Sequence, residues 1–219
     1  MARRRCPCGI EPSCTATAAS KACGCAITCC SGRPIIWPAS AGAVDWEAEL
    51  GVVIGAAARH VPVDAALDVV AGYTVVNDVT VRDWQHRTRE FLSGKTFEAT
   101  TPVGPTLVTS DELPPGASGL EISCAVDGVV MQRSTTSDLL FSVAEIVSYI
   151  STITTLLPGD LIATGTPGGV GAGRTPEVWL RPGNELVTTV EGVGQLRNRC
   201  VKEEVTIGPA SGSLTVGPG

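Results

Sequence analysis

Apolar residues dominate positions 44–55 (VDWEAELGVVIG) and 73–81 (YTVVNDVTV), and such short, dense runs predict two buried strands. Between them, PVDAALDVVA (62–71) carries apolar positions at helical spacing behind a proline suited to a first helical turn, so a helix is expected there. Residues 103–133 read as a β-meander. VGPTLVTS is followed by a Pro-Pro-Gly break, then LEISCAV and VVMQRS joined by Asp127-Gly128, a pair that favours a type I′ hairpin turn. Ser142 and Glu145 form a capping box. The spacing of Val143, Ile146, Val147, Ile150 and Ile153 extends it into an amphipathic helix that stops before Pro158-Gly159. DLIATGTPGGVG (160–171) predicts a strand running into a glycine-rich turn, and ELVTTVEG and GQLRNRCVKE supply two closing strands. Residues 82–98 (RDWQHRTREFLSGKTFE) are polar without a clean period and read as a loop with a short helix. The sum is a mainly β chain with short helices, of the α+β class.

Composition sets boundaries around this pattern. Seven of the nine cysteines fall in the first 30 of 219 residues, and residues 1–33 show no helical or strand periodicity. One main domain is therefore expected over 34–205, preceded by an atypical Cys-rich segment and followed by a flexible Gly/Ser/Pro-rich tail over 206–219. Cys6, Cys8, Cys14, Cys23, Cys25, Cys29 and Cys30 include no CxxC pair and have no histidine near them, which disfavours a zinc knot. Pro7, Glu11 and Lys21 interrupt what would otherwise pass for an export signal, and the body has no disulfide framework, so a cytoplasmic protein is expected. A net charge of −6 with few aromatic residues argues against a nucleic-acid surface, and no apolar run is long enough to span a membrane. A small-molecule substrate is the remaining expectation.

Three carboxylates change the picture most. Glu47, Glu49 and Asp78 are embedded in the two runs that read as buried strands, where an ionised carboxylate costs several kcal/mol unless paired, hydrogen-bonded or bound to a metal. Alternation along a strand sends Glu47 and Glu49 to one face and Trp46, Ala48 and Leu50 to the other. An all-oxygen trio favours Mg²⁺ or Mn²⁺ over zinc. The alternative is a wet edge strand bearing Glu47 and Glu49, with Asp78 capping a turn. Arg82, Gln85 and Lys95 follow Asp78 within one polar segment and offer donors for an anionic ligand, Arg82 by a bidentate grip and Lys95 as a compact charge. His86 and His60 read as exposed. TGTPGGVG (164–171) lacks the ending of a phosphate-binding loop, but its small residues let backbone amides and the Thr166 hydroxyl approach a ligand.

Five segments, DWEAELGVVIG, GYTVVNDVTVRDWQ, GKTFEATTPVGP, TSDLLFSVAEIVSYIS and LPGDLIATGTPGGVG, together resemble the fumarylacetoacetate hydrolase family in its shorter acylpyruvate hydrolase, isomerase and decarboxylase branch. The likeness covers about residues 34–203 and rests on ExE, ND-x-x-x-RD-x-Q, GK[ST]F and PGD-x-[IL]-x-TGTP elements in the family's order. It implies a mixed β-roll, a homodimer, and Glu47, Glu49 and Asp78 as Mg²⁺ or Mn²⁺ ligands. It further implies substrate contacts from Arg82, Gln85 and Thr166, and a catalytic oxyanion contact from Lys95. The implied chemistry is C–C hydrolysis of an acylpyruvate to release pyruvate, or isomerisation or decarboxylation of a 2-oxo dicarboxylic acid through the same enolate. Family members of this size carry a His and a Glu three residues apart in an early lid segment. The corresponding stretch here has no histidine and only Glu11, so metal and ligand binding is expected more firmly than hydrolysis. A misassigned start over the first 31 residues is one account of that difference.

Overall fold

The computed structural model describes residues 31–204. The cysteines from Cys6 to Cys30, Glu11 and the tail from 206 lie outside the described residues. Eleven strands among the described residues carry the architecture: β1 (Ile35–Trp37), β2 (Val44–Asp45), β3 (Ala48–Ile54), β4 (Val70–Asn77), β5 (Thr80–Val81), β6 (Val103–Thr109), β7 (Glu121–Val126), β8 (Val129–Thr135), β9 (Leu161–Ala163), β10 (Glu185–Val190) and β11 (Gly194–Lys202). Three helices accompany them, α1 (Arg82–Gln85), α2 (Leu92–Lys95) and α3 (Val143–Ile153). One sheet has the order β1-β11-β10-β7-β8, a second has β6-β4-β3-β9, and β2 pairs only with β5. The β1-β11 pair is parallel and the rest are antiparallel, which makes the sheet system mixed as expected.

The second sheet packs against the first, with β7 and β10 lying on β3 and β10 and β11 on β4. Every residue of β3 is buried, since β4 and β9 flank it and the opposite sheet covers it. Leu50, Val52, Val75, Leu186 and Leu196 fill the space between the layers. Apolar burial at about 25 cal/mol per Å² is the main favourable term, and it fixes the face on which β3 presents its polar residues.

The expected continuous strands over 44–55 and 73–81 are each broken. Trp46-Glu47 and Asp78-Val79 lie outside the ladders; Asp78 N still bonds Glu47 O (2.9 Å), while side chains serve the amides on the other side of the break. Asn77 Oδ1 accepts from Glu47 N (3.0 Å) and Gln132 Oε1 from Ala48 N (3.0 Å). The run over 62–71 forms a 3-10 helix (Val63–Val69) rather than an α-helix, and it packs under α3. The expected meander is divided between the sheets. β6 pairs with β4, while two 3-10 turns over 110–117 carry the chain across to the β7–β8 hairpin. That hairpin turns at Asp127 (φ 49°) and Gly128 (φ 81°), the left-handed pair that a type I′ turn requires.

The capping box forms as read: Ser142 Oγ accepts from Glu145 N (3.3 Å), and the Glu145 carboxylate accepts from Ser142 N (2.7 Å). No helix among the described residues is long and apolar enough to cross a membrane. Leu186→Ala in the inter-sheet core is expected to cost about 2–5 kcal/mol of unfolding free energy, against about 1 kcal/mol for Ser142→Ala at the cap. Urea denaturation of both variants measures the difference; comparable costs would contradict this placement of the core.

Candidate metal and ligand site

The breaks in the strands are where the acidic residues gather. Glu47 precedes β3, Glu49 is its second residue, and Asp78 follows β4; one oxygen from each lies within 4.8 Å of the others. Glu47 and Glu49 are 7% and 3% exposed, which excludes the wet edge strand. Their charges are met by two cations from the polar segment. Lys95 Nζ, at the end of α2, lies 2.6 Å from Glu47 Oε2 and 2.7 Å from Asp78 Oδ2. Arg82 Nη1, at the start of α1, lies 2.7 Å from Glu47 Oε1.

Glu49 is the least compensated of the three. Burial pushes its carboxyl up to about 7, reinforced by the charges of Asp78 and Glu47 and opposed by the Gly165 N–H and by Lys95. Gly165 N donates to Glu49 Oε2 at 2.8 Å and so ties the loop after β9 to the trio. Burial alone would lower the Lys95 pKa, but hydrogen bonds to Asp78 and Glu47 outweigh it and hold it above the ordinary value, so Lys95 is an ammonium donor. Three oxygen donors around one point, two buried and one half-buried, with an ammonium already drawn against two of them, fit a divalent cation of the hard class.

Arg82 departs from its expected use. Its Nε and Nη2 grip Asp45 Oδ2 (2.9 and 2.8 Å), while Nη1 serves Glu47 and the Gln85 amide oxygen (2.9 Å). Its fork is thus closed on Asp45, and what remains for a ligand is its charge and one N–H of Nη2.

Asp45 is the residue that sequence reasoning passed over. It is fully buried, and besides Arg82 its oxygens accept from Trp46 N (2.9 Å), Gly171 N (2.6 Å) and Ala172 N (3.0 Å). A Cβ on Gly171 would collide with the Val178 carbonyl and come within 2.8 Å of Asp45 Oδ1, so only glycine lets the loop close on this carboxylate. The signal was available, because Asp45 is a carboxylate in the same buried run as Glu47.

Glu47, Arg82, Gln85 and Thr166 line one cavity of about 560 Å³, with His86 on its wall. The structure therefore brings together all seven candidate residues, four on the cavity and Glu49, Asp78 and Lys95 through their contacts with Glu47 and with one another. His86 is exposed as expected, its ring edge-on to Phe91 at 5.5 Å, and His60 lies elsewhere, exposed, its amide bonded to Ser151 O. Cys124 and Cys200 are buried thiols that burial pushes up to about 12, which removes thiolate chemistry from the described residues.

The sequence profile described as fumarylacetoacetate (FAA) hydrolase C-terminal matches residues 26–201. A mitochondrial oxaloacetate tautomerase of Rattus norvegicus is 42% identical over 168 residues, which is 76% of this chain and 53% of the relative. Among solved structures, 2-hydroxyhepta-2,4-diene-1,7-dioate isomerase from Mycobacterium marinum has a TM-score of 0.72 at 39% identity, covering 79% of this chain and 64% of that one. Fumarylpyruvate hydrolase from Pseudomonas aeruginosa, in complex with Mn²⁺ and pyruvate, has a TM-score of 0.72 at 36% identity, covering 80% and 73%. The chain spans about half the length of the curated relatives it matches.

Two expectations follow from the geometry. Since a proton on Glu49 competes with a cation below pH 7, Mn²⁺ affinity is expected to fall roughly tenfold from pH 8 to pH 6, and Glu49→Gln to weaken binding and remove that dependence. Calorimetric titration at the two pH values reads both, and a pH-independent affinity in the parent chain would contradict the assignment. Asp45→Asn turns an NH₂ toward groups that are all donors, so a loss of about 3 kcal/mol in denaturant unfolding is expected. Parent-like stability would show that the clamp is not needed.

Proposed function

Because the chain belongs to the fumarylacetoacetate hydrolase family, we propose that it is a divalent-metal-dependent enzyme acting on small 2-oxo acids through an enolate. Keto–enol conversion of an oxaloacetate-like dicarboxylic acid is the best-supported reaction. The observation that carries this reading is the Lys95 ammonium within 2.7 Å of two carboxylates of the acidic trio, beside a cavity that Arg82, Gln85 and Thr166 supply with donors. Glu47, Glu49 and Asp78 would hold Mg²⁺ or Mn²⁺. The cation, when bound, supplies Lewis-acid polarisation of the oxygens of a 2-oxo acid.

The chain's own residues do the rest. Arg82 contributes positive charge and its one uncommitted N–H, the Gln85 side chain borders the same space, and the Thr166 hydroxyl would meet a carboxylate of the ligand. Lys95 is placed to donate to an oxygen on which charge grows as the enolate forms, a kind of contact worth about 10²–10³ in rate.

C–C hydrolysis of an acylpyruvate with release of pyruvate is the second reading. It is supported by the likeness to a fumarylpyruvate hydrolase solved with Mn²⁺ and pyruvate, and it needs an activated water besides the groups above. Decarboxylation of a 2-oxo dicarboxylic acid would use the same enolate without that water. A homodimer belongs to the same proposal, checked by light scattering on the purified chain.

The deciding experiment follows oxaloacetate keto–enol conversion and pyruvate release from acetylpyruvate in parallel, with and without Mg²⁺ or Mn²⁺. Metal-dependent acceleration of the first, reduced about 100-fold or more in Lys95→Met, is expected. Faster cleavage of acetylpyruvate would select the hydrolase, and no metal-dependent acceleration of either would sink the proposal.

A further inference from the structure

Gln132 lies on β8, in the sheet opposite the carboxylates, and is 1% exposed. Its Oε1 accepts from Ala48 N at 3.0 Å, between the two glutamates, and its Nε2 donates to Pro167 O and to Thr166 Oγ1, both at 2.8 Å. A side-chain amide can ordinarily be turned either way, but two backbone groups remove that freedom here. A peptide N–H only donates and a peptide carbonyl only accepts, so the amide oxygen must face Ala48 and the NH₂ must face Pro167 and Thr166.

The two hydrogens of that NH₂ are thereby assigned to two acceptors, and Thr166 Oγ1 is one of them. A hydroxyl has a single hydrogen, and that of Thr166 cannot point back along the bond from Gln132. Among the described residues Thr166 Oγ1 makes no other hydrogen bond, and Thr166 borders the cavity shared with Glu47, Arg82 and Gln85.

We propose that Gln132 is a positioning residue that occupies one lone pair of the Thr166 hydroxyl and turns its O–H away from β8, and so favours a ligand group that presents an unprotonated oxygen in the cavity that Thr166 borders. This rests on the reading above, in which that group is the carboxylate of a 2-oxo acid. Gln132 never touches the ligand. It acts through Thr166.

The test is calorimetric titration of the Mg²⁺-loaded full chain with oxalate, in a double-mutant cycle. A hydrogen bond to a charged acceptor contributes about 1.5–3 kcal/mol, so Thr166→Val is expected to weaken oxalate binding roughly 10- to 100-fold. Gln132→Met should weaken it by a comparable factor. In the Thr166→Val background it should add no more than about 2-fold, and Mg²⁺ affinity should stay within about 2-fold of the parent. Gln132→Leu, which likewise lacks a donor and adds no charge, should reproduce the loss if the methionine variant does not fold.

Losses that multiply in the double variant would overturn the inference and leave the proposed function standing, since they would mean that Gln132 supports the fold alone. Parent-like affinity in a folded Gln132→Met or Gln132→Leu would overturn it too. A parent chain that binds no oxalate with Mg²⁺ would overturn both the inference and the 2-oxo acid reading. An intact cycle without turnover would uphold the inference and reject the reaction.

Discussion

Four carboxylates, Asp45, Glu47, Glu49 and Asp78, converge at the junction of two sheets, three of them withdrawn almost wholly from water. Each would cost several kcal/mol if left alone, and the surroundings are arranged to meet that cost. Arg82 bridges Asp45 and Glu47, Lys95 bridges Glu47 and Asp78, and backbone amides of the loop after β9 close on Asp45 and Glu49. Glu47 thus belongs to both ion-pair systems and couples the two short helices to the strand edge. The helices α1 and α2 are each a single turn, too short to persist alone, and these ion pairs hold them in place.

The pairing is also unequal. Glu47 meets two cations at hydrogen-bond distance, whereas Glu49 meets one backbone amide, and burial, reinforced by the charges of Asp78 and Glu47, pushes the Glu49 carboxyl up to about 7. An uneven distribution of compensation suits a site whose remaining positive charge comes from outside the chain. The same unevenness separates what is built in, the Asp45–Arg82 clamp, from what can respond to a ligand.

Much of this was legible in the sequence, and the reasons differ by residue. Glu47, Glu49 and Asp78 stood out because a carboxylate inside an apolar run violates the burial rule, and the capping box at Ser142 and the Asp127-Gly128 turn announced themselves through local backbone chemistry. The break at 46–47 could not be read, because the amides beside it are served by Asn77 and Gln132, and Gln132 is 84 residues away from its partner Ala48. Its position in a hairpin strand looks like any polar site on a wet face. Asp45 carried the same mark as Glu47, and strand alternation puts it on the same face as Glu47 and Glu49. Sheet membership failed for β6, since local pattern predicts a strand but not which neighbour it pairs with.

The loop from Gly165 to Ala172 is fastened at both ends by main-chain N–H groups, one to Glu49 and two to Asp45. Peptide amides are the same whatever side chain they carry. The spacing between the two carboxylates therefore constrains the number of residues between them, while interior positions such as Gly168, around which a Cβ would meet nothing within 4 Å, can change identity without disturbing either anchor. For divergence of substrate range this separates two kinds of change: substitutions within the loop can reshape the cavity wall, whereas insertions or deletions would pull an anchor from a buried carboxylate.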